Sequence, residues 1–377
     1  MKKRQYTFID LFAGAGGLSC GLEQAGFKPC FVNEIVETYC NTYKENHDLQ
    51  DEQYFVGDIN ELNKHIDRYA RFIQGATLVC GGPPCQGFSM ANRQRVIDDP
   101  RNQLYKAYLT FLSQVRPQFF IMENVKGMAN KIDEIKQNFR EYLGDDYQFD
   151  YELFKAQDYG VPQNRERLIF IGNRMGIDPK QIFEEIHKHR RAAFVLRDAL
   201  YGLPHLEPKT EKGKSDIDNE QSGFTERDFE YPHTEFYQFI NGDKVITKLY
   251  NHKNRYNNPR DIEIYRRLPQ GANSLHESIA DIMPYKRRND IFKDKYFKLS
   301  EEQICKTITA HMKFDCNMYI HPWEARGLSP REAARIQTFP DDYVFTGAQN
   351  QWYAQIGNAV PVKLARAIGM GIMKFLK

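Results

Sequence analysis

Short apolar runs alternate with amphipathic stretches along the first half of the chain. Stretches such as 104–115 place Leu, Tyr, Phe and Val side chains at helical spacing. Five apolar runs read as buried strands: YTFIDLF from Tyr6, CFVNEI from Cys30, QYFVGDI from Gln53, ATLVCGG from Ala76 and QFFIMENV from Gln118. This alternation predicts an α/β fold, a Rossmann-like doubly wound and mostly parallel sheet with helices on both faces. Ligands of such sheets bind beyond the carboxyl ends of the strands.

The pattern changes after about residue 185. Residues up to roughly 325 are polar and rich in Tyr, Asn and Arg, with little clean periodicity, which indicates a smaller, loop-rich domain. LSPREAARIQTFPDDY then restores a helix, in which Ser329 and Glu332 form a capping box and Pro330 takes the first position. A last helix follows QIGNAVP; its one apolar side, with Leu364, Ala367, Ile368 and Ile372, predicts that it packs back on the first domain. We expect residues 1–185 with 350–377 to form one domain and 186–349 to form the second domain and a hinge.

Composition fits an ordinary folded protein of 377 residues, with 41% apolar and 27% charged residues. The basic start, MKKRQYTFIDLF, has too short an apolar run for a secretory signal or a membrane span. The seven cysteines form no CxxC pair, which argues against disulfides or a zinc cluster and for a reducing cytoplasm. We therefore expect no metal and no membrane contact.

Charge is unevenly distributed, although the net charge is only +2. Residues 205–243 hold 10 Asp and Glu against 4 Lys and Arg, whereas residues 244–298 hold 13 Lys and Arg against 6 Asp and Glu. The basic segment is of the kind that contacts phosphate backbones. A solvated surface is the alternative interpretation.

A glycine-rich turn follows the first predicted strand. DLFAGAGGLSCG resembles a dinucleotide-binding turn, with Gly14 and Gly16 as its GxG and Ser19 in place of the third glycine. Glu34 ends the second strand, where a carboxylate can accept from both ribose hydroxyls. Asp58 follows the third strand and suits either an adenine amino group or a helix cap. Together they predict an adenosine-bearing ligand, without separating a nicotinamide cofactor from S-adenosylmethionine.

A thiol and a carboxyl follow the fourth and fifth strands. Cys85 comes after two stiff prolines in GGPPCQGFS, which points its thiol out of the sheet as a candidate nucleophile. If these strands are neighbours, Glu123 converges with Cys85 and is a candidate acid; a helix-capping role is the alternative. Arg165 and Arg167, two apart on a strand, suit a phosphate or a base carbonyl, or else surface ion pairs.

These motifs occur in one order: DLFAGAGGLSCG, NEI, GDI, GGPPCQGFS, ENV, QNRER, LSPREAARIQTFPDDY and QIGNAVP. In this order they resemble the DNA (cytosine-5)-methyltransferase family, over residues of about 8–172 and 326–372. The resemblance implies the S-adenosylmethionine-dependent methyltransferase fold, with 1–185 plus 350–377 as the catalytic and cofactor-binding domain and 186–349 as the target-recognition domain and hinge. It further implies bacterial restriction–modification.

The resemblance also implies residue roles. Cys85 would be the nucleophile and Glu123 the acid, and Arg165 and Arg167 would hold the target base and its backbone. The segment 86–103 would close over DNA. S-adenosylmethionine would be bound by Phe12, Gly14, Ala15, Gly16, Gly17, Leu18, Glu34 (ribose), Ile35, Asp58 and Ile59 (adenine), Pro84, Asn358 and Ala359.

The implied reaction is methylation of carbon 5 of cytosine in double-stranded DNA, by base flipping and addition of the Cys85 thiolate to carbon 6. The implied enzyme is a cytoplasmic monomer whose partner is duplex DNA, and a cognate restriction endonuclease would act separately. Three alternatives stay open at this point: a dehydrogenase with a catalytic thiol, a methyltransferase acting on RNA, and a DNA-binding module without catalysis.

Overall fold

The computed structural model describes residues 5–84, 104–213, 217–220, 222–284 and 294–376. Contacts divide the chain into two compact units. The first unit comprises Met1–Tyr159, Arg165–Arg191 and Val360–Lys377, and the second comprises Gly160–Asn164 and Ala192–Ala359. Because these units are defined by contacts alone, the assignment of a catalytic and a target-recognition domain, with the boundaries expected from the sequence, stays a prediction.

The first unit is built on a seven-stranded sheet. Its strands are β1 (Thr7–Leu11), β2 (Lys28–Glu34), β3 (Tyr54–Val56), β4 (Leu78–Gly81), β5 (Phe119–Asn124), β6 (Gln148–Lys155) and, after the short β7 of the second unit (Gln163–Asn164), β8 (Glu166–Asn173). They lie in the order β3-β2-β1-β4-β5-β8-β6. The first five are parallel, whereas β8 is antiparallel to both β5 and β6. The predicted Rossmann-like, mostly parallel sheet is therefore confirmed.

Helices follow the strands of this sheet. They are α1 (Gly17–Gln24), α2 (Glu37–Asn46), α3 (Ile59–Lys64), α4 (Ala70–Ile73), α5 (Leu104–Val115), α6 (Ile132–Leu143) and α7 (Pro179–His187). The face of α5 that the sequence predicts to be apolar is buried, with Tyr108, Phe111 and Leu112 fully covered. Its burial closes one side of the sheet, because these side chains share a core cluster with Ile9, Val79 and other strand residues.

The second unit holds β7 and the remaining elements up to residue 359. These are α8 (Leu196–Leu200), β9 (Gly223–Asp228), α9 (Glu235–Asn241), β10 (Lys248–Lys253), α10 (Pro259–Arg267), β11 (Cys305–Lys306), α11 (Pro330–Ile336) and α12 (Gln349–Asn358). β9 and β10 form an antiparallel pair, and β7 and β11 a parallel one. The capping box predicted at α11 is confirmed, since Ser329 Oγ accepts from the Glu332 amide and Glu332 Oε2 accepts from the Ser329 amide.

Disulfides, a membrane span and a metal site, which the sequence predicts to be absent, can be examined only among the described residues. The described cysteines are all free, and Cys85 lies outside the described residues. Within the described ranges, no helix is both long and apolar enough to cross a bilayer, and no three side chains are grouped as ligands for a metal ion.

The last helix, α13 (Val362–Met373), belongs to the first unit and packs on α1 and α7, as its apolar face predicts. The approach to α1 is close at Gly21. A methyl group at Gly21 would lie 2.5 Å from Val362 O and 2.6 Å from Arg366 N. Only a residue without a side chain fits there, because backbone atoms of α13 cannot move aside cheaply.

Gly21→Ala should therefore destabilise the protein by about 1–3 kcal/mol, even though alanine alone favours a helix by up to about 1 kcal/mol. The clash wins because the added methyl group would lie 2.4 Å from Ala365 Cβ as well as against the two backbone atoms of α13, and none of these atoms is the end of a flexible side chain. Urea unfolding measures the change. The exposed Glu45→Ala on α2 is the control, expected to stay within about 0.5 kcal/mol of wild type. A Gly21→Ala protein as stable as wild type would contradict the close packing.

Candidate functional site

The register of the sheet brings several strand ends to one edge. Leu11 pairs with Asn33 on one side and with Gly81 on the other, and Gly81 pairs with Met122. The residues that follow each strand therefore emerge together, at the edge where ligands of such sheets bind. The fourth and fifth strands are neighbours, as the sequence argument required.

The glycine turn, defined as residues 12–17, leaves β1 in left-handed conformations. Phe12, Gly14 and Gly16 have φ of 56°, 56° and 81°. A side chain at Gly14 would meet nothing within 4 Å, but its positive φ disfavours any residue except glycine. The turn thus exposes its backbone on the side where Gly14 lies, while Ala15 and Leu18 are buried beneath it and Gly17 begins α1.

Glu34 fastens this turn to the end of β2. Its Oε2 accepts from the Gly14 amide at 2.7 Å and its Oε1 from the Val36 amide at 2.9 Å. Glu34 is buried, and burial raises the pKa of its carboxyl. A carboxylate has about four acceptor positions, so these two bonds leave capacity for ribose hydroxyls. The next residue, Ile35, is 62% exposed and offers an apolar surface beside the carboxylate.

Asp58 has the helix-capping role that the sequence left open. Its Oδ1 accepts from the Asn60 amide at 2.7 Å at the start of α3, where Ile59 is buried. A cofactor contact through its other oxygen stays a prediction. Sequence reasoning missed Asn33, whose Nδ2 donates to Phe55 O and Gly57 O at 3.1 and 2.9 Å. Asn33 therefore holds the segment that leads to Asp58.

A buried polar chain under the glycine turn was also missed. Tyr43 donates to Ser19 Oγ at 2.7 Å, and Ser19 donates to Asp10 Oδ2 at 2.5 Å. All three residues are at most 1% exposed. Burial is the largest cause that raises the pKa of Asp10 from 3.8 to about 7, while the Ser19 bond opposes it. The signal in the sequence was Ser19 itself, a hydroxyl at the position of the third glycine.

The segment leading to Cys85 lies against the end of β5. A side-chain atom at Gly82 would lie 2.9 Å from Glu123 Oε2, and Asn124 Nδ2 donates to Pro83 O at 2.9 Å. Pro84 is exposed. Cys85 and the predicted closing loop, 86–103, lie outside the described residues. The position of the thiol stays a prediction, but the chain is held beside Glu123 two residues before it.

Glu123 forms an ion pair with Arg167 rather than a helix cap. Arg167 Nε lies 2.5 Å from Glu123 Oε1, and both side chains are nearly covered. Burial lowers the pKa of Arg167, and the Glu123 carboxylate opposes that shift. The 3-10 turn after β5 begins at Lys126 without a side-chain cap. Arg165 is 1% exposed, which excludes the surface role that was its alternative.

Two predicted cofactor residues, Asn358 and Ala359, belong to the second unit. Asn358 ends α12 and is exposed. Gln337 Nε2 donates to Ile356 O at 2.7 Å and to Ala359 O at 3.3 Å, which fixes this helix end. Their contact with a cofactor stays a prediction.

Comparison with known proteins points to one family. The family model of the C-5 cytosine-specific DNA methylases matches residues 6–374. The type II methyltransferase M.AgeI of Thalassovita gelatinovora is 33% identical, over 96% of this chain and 97% of its own. The type II methyltransferase M.MthTI of Methanothermobacter thermautotrophicus is 30% identical, over 98% of this chain and 97% of its own.

Solved structures show the same likeness. A crystal structure described as a DNA modification methyltransferase encoded within an E. coli prophage superposes with a TM-score of 0.75 at 27% identity, covering 99% of each chain. The Dnmt2 methyltransferase of S. pombe superposes with a TM-score of 0.54 at 15% identity, over 99% of this chain and 100% of its own, which shows likeness of fold.

Asp10→Asn should change how stability depends on pH. The folded pKa of Asp10, about 7, lies above the ordinary 3.8, so folding favours its protonated form. The contribution of Asp10 to the free energy of unfolding is fully present below about pH 4 and is lost as the pH rises through 7. Asparagine cannot ionise, so the free energy of unfolding of the variant does not fall in this way. The difference in free energy of unfolding between the variant and wild type should therefore shift in favour of the variant by on the order of 3 kcal/mol from pH 5 to pH 8.

Urea unfolding at the two pH values measures this difference. The exposed Asp67→Asn serves as the control and should show the same difference from wild type at both. An Asp10→Asn difference that does not change with pH would mean that Asp10 does not ionise in this range.

Proposed function

Because the chain belongs to the C-5 cytosine-specific DNA methylase family, we propose that it methylates carbon 5 of cytosine in a specific sequence of double-stranded DNA, with S-adenosylmethionine as methyl donor. It is a DNA (cytosine-5-)-methyltransferase of the restriction–modification type. A restriction endonuclease of the same specificity would be a separate protein, and the methyltransferase would act as a cytoplasmic monomer.

One observation carries the assignment of the reacting groups. The ends of β4 and β5 are adjacent, and Asn124 ties the Pro83 carbonyl to the end of β5, so the chain passes Glu123 just before it reaches Cys85. Nucleophile and acid must act on one ring, on atoms only a few ångströms apart, and neighbouring parallel strands supply that proximity.

Carbon 5 of cytosine is a weak nucleophile, which explains why a thiol is needed. The Cys85 thiolate would add to carbon 6 and form a C–S bond, while Glu123 donates a hydrogen bond or proton to ring nitrogen 3, where negative charge develops. Carbon 5 would then take the methyl group as the bond from that group to the sulfonium of S-adenosylmethionine breaks, which leaves S-adenosylhomocysteine. Loss of the carbon-5 proton would restore the ring double bond, break the C–S bond at carbon 6 and release the thiolate. Water could accept that proton, since the sequence suggests no particular base.

Arg167 would orient Glu123 through the ion pair at 2.5 Å. The guanidinium groups of Arg165 and Arg167 would also hold the carbonyl and the backbone of the target nucleotide. Reaching the face of the ring requires the cytosine to leave the duplex, at a cost of a few kcal/mol. Contacts from these arginines, the segment 86–103 and the basic second unit would offset it.

The turn and strand ends fit the adenosine part of S-adenosylmethionine. The open backbone at Gly14, the carboxylate of Glu34 and the exposed Ile35 lie in sequence along this edge. When bound, the cofactor supplies an electrophilic methyl group on a sulfonium. The protein would hold the ribose through Glu34 and the adenine through Asp58 and Ile59, with Phe12 beside the turn.

Cys85→Ala should abolish methylation, by about a thousandfold or more, and leave affinity for duplex DNA within about threefold. With a duplex that carries 5-fluorocytosine at the target, wild type plus S-adenosylmethionine should form an adduct stable to denaturant, because fluorine cannot leave carbon 5 as a proton does. Cys85→Ala should form none.

Cys80→Ala is the matched control. Cys80 is a buried thiol in β4, and burial raises its pKa well above the ordinary value. It should still form the adduct. An unchanged methylation rate in Cys85→Ala would refute the nucleophile, and transfer to RNA but to no duplex DNA would refute the substrate.

Glu34→Gln should weaken S-adenosylmethionine binding by about tenfold or more, because hydrogen bonds to a charged acceptor contribute about 1.5–3 kcal/mol. Calorimetric titration of the cofactor measures it, with the exposed Glu37→Gln of the same region as the control. Tight binding of a nicotinamide cofactor, with no affinity for S-adenosylmethionine, would favour the dehydrogenase alternative instead.

A further inference from the structure

An aromatic side chain of the second unit stands in solvent. Phe314 is 65% exposed and follows the 3-10 turn Ala310–Lys313. A single exposed apolar side chain is ordinary on a protein surface. Phe314 differs in two respects: buried groups hold its backbone in place, and its segment is tied to the QNRER motif.

The backbone around Phe314 is held from both sides. Met312 and Cys316, two residues before and two after, are completely buried. Arg255 donates to Met312 O at 2.6 Å and to Phe314 O at 3.0 Å, and its guanidinium lies 5.6 Å from the ring centre of the buried Tyr353. The buried part of the unit therefore sets the outward position of the Phe314 ring.

Cationic side chains accompany this ring. Lys313 Nζ lies 4.8 Å from the ring centre of Phe314, and the guanidinium of Arg255 contacts the same turn. The carboxylate of Asp315 lies next along the chain, and it accepts from the Asn317 amide at 3.0 Å. The sum of these three charges is positive, which suits the phosphates that border a groove of DNA.

The segment that carries Phe314 begins beside the QNRER motif. Lys306 lies opposite Asn164 in the parallel pair of β7 and β11, and the Ile308 amide donates to Gln163 Oε1 at 2.7 Å. Arg165, which we propose to hold the target nucleotide, is the next residue of the chain after Asn164. The segment thus starts at the strand that leads into the target site.

The chain length limits how far Phe314 lies from this strand. Phe314 follows Lys306 by eight residues, and four residues of this stretch form the 3-10 turn. The two residues are therefore at most about 25 Å apart, the length of about seven base pairs. A ring at such a distance can contact bases that flank the target cytosine.

The chemistry of the major groove selects the partner of such a ring. Guanine, adenine and cytosine present hydrogen-bonding groups there, whereas thymine adds a methyl group at carbon 5. A phenyl ring makes no hydrogen bond in the plane of a base, so it would displace water from polar groups without replacing it. Against a methyl group, the same ring buries apolar surface on both sides.

We propose that Phe314 packs against the carbon-5 methyl group of a thymine in the recognition sequence, with Lys313 beside a neighbouring phosphate. The inference rests on the proposed function. Phe314 would determine specificity at one base pair, because cytosine has only a hydrogen at the same carbon and the purines present polar groups at their edges.

Uracil tests this contact, because it differs from thymine only by that methyl group. The sequence that wild type methylates is first read by bisulfite mapping. Duplexes are then synthesised in which each thymine of that sequence is replaced in turn by uracil. At one position, wild-type kcat/KM should fall about fourfold, since burying one group of this size contributes about 0.8 kcal/mol.

Phe314→Ala supplies the other half of a double-mutant cycle. It should methylate the thymine and uracil duplexes at equal rates, whereas Phe314→Leu keeps an apolar side chain and should prefer thymine at least twofold. Lys313→Ala should bind all duplexes more weakly and with less dependence on salt, and should keep the fourfold preference. Tyr201→Ala is the matched control: its ring is 56% exposed in the same unit, and its loss should leave the preference unchanged.

A methylated sequence that contains no thymine would overturn the inference. So would a wild-type protein that is indifferent to every uracil, or a Phe314→Ala protein with the wild-type preference. Thermal unfolding reports whether the variants fold, and the wild-type and Phe314→Leu measurements decide the question if Phe314→Ala does not.

Absence of methylation by wild type would count against the proposed function instead. The methyl contact would then be decided by binding. Duplexes that wild type selects from a random pool would be made with thymine and with uracil, and the affinities of wild type and Phe314→Ala for both would be compared. Equal affinities of wild type for the two would refute the contact.

Discussion

The parallel pairing of β4 with β5 is the constraint on which the candidate site depends. It sets Gly81 opposite Met122, so the chain that leaves β4 must pass the end of β5. Glycine at position 82 permits this approach, because a side-chain atom there would lie 2.9 Å from Glu123 Oε2. Asn124 then holds the Pro83 carbonyl at 2.9 Å. The stiff segment 81–84 would direct Cys85 toward Glu123 only because β5 lies beside β4.

Buried polar groups fix the second unit in a comparable way. Arg326 donates to both oxygens of Glu332, at 2.8 and 2.7 Å, and both residues are buried. Glu332 also accepts from the Ser329 amide at the start of α11, where the helix dipole favours a negative charge. Burial lowers the pKa of His252 to about 4 and that of His321 to about 3, so both stay neutral near pH 7. Such a network adds little net stability but allows few alternative arrangements.

Much of the fold could be predicted because local patterns and burial agree. The five strands, the α11 capping box and the docking of α13 follow from apolar periodicity and cap residues, which act within a few positions of one another. The polar chain of Asp10, Ser19 and Tyr43 could not be predicted, because it joins residues up to 33 positions apart through hydrogen bonds that no periodicity encodes. The capping role of Asp58 was one of two readings, and only the bond to Asn60 decided for it.

The sequence by itself determined the family, the order of the motifs and the residue types that the chemistry needs. A thiol after two prolines, a carboxyl after the next strand and a glycine turn are local features, and each can be read from a few neighbouring letters. The tertiary structure alone decided what these groups meet: Glu123 with Arg167, and Glu34 with the Gly14 amide. The physical reason is that hydrogen bonds and ion pairs depend on distances between segments, and strand pairing and helix packing fix those distances only once the whole unit has folded.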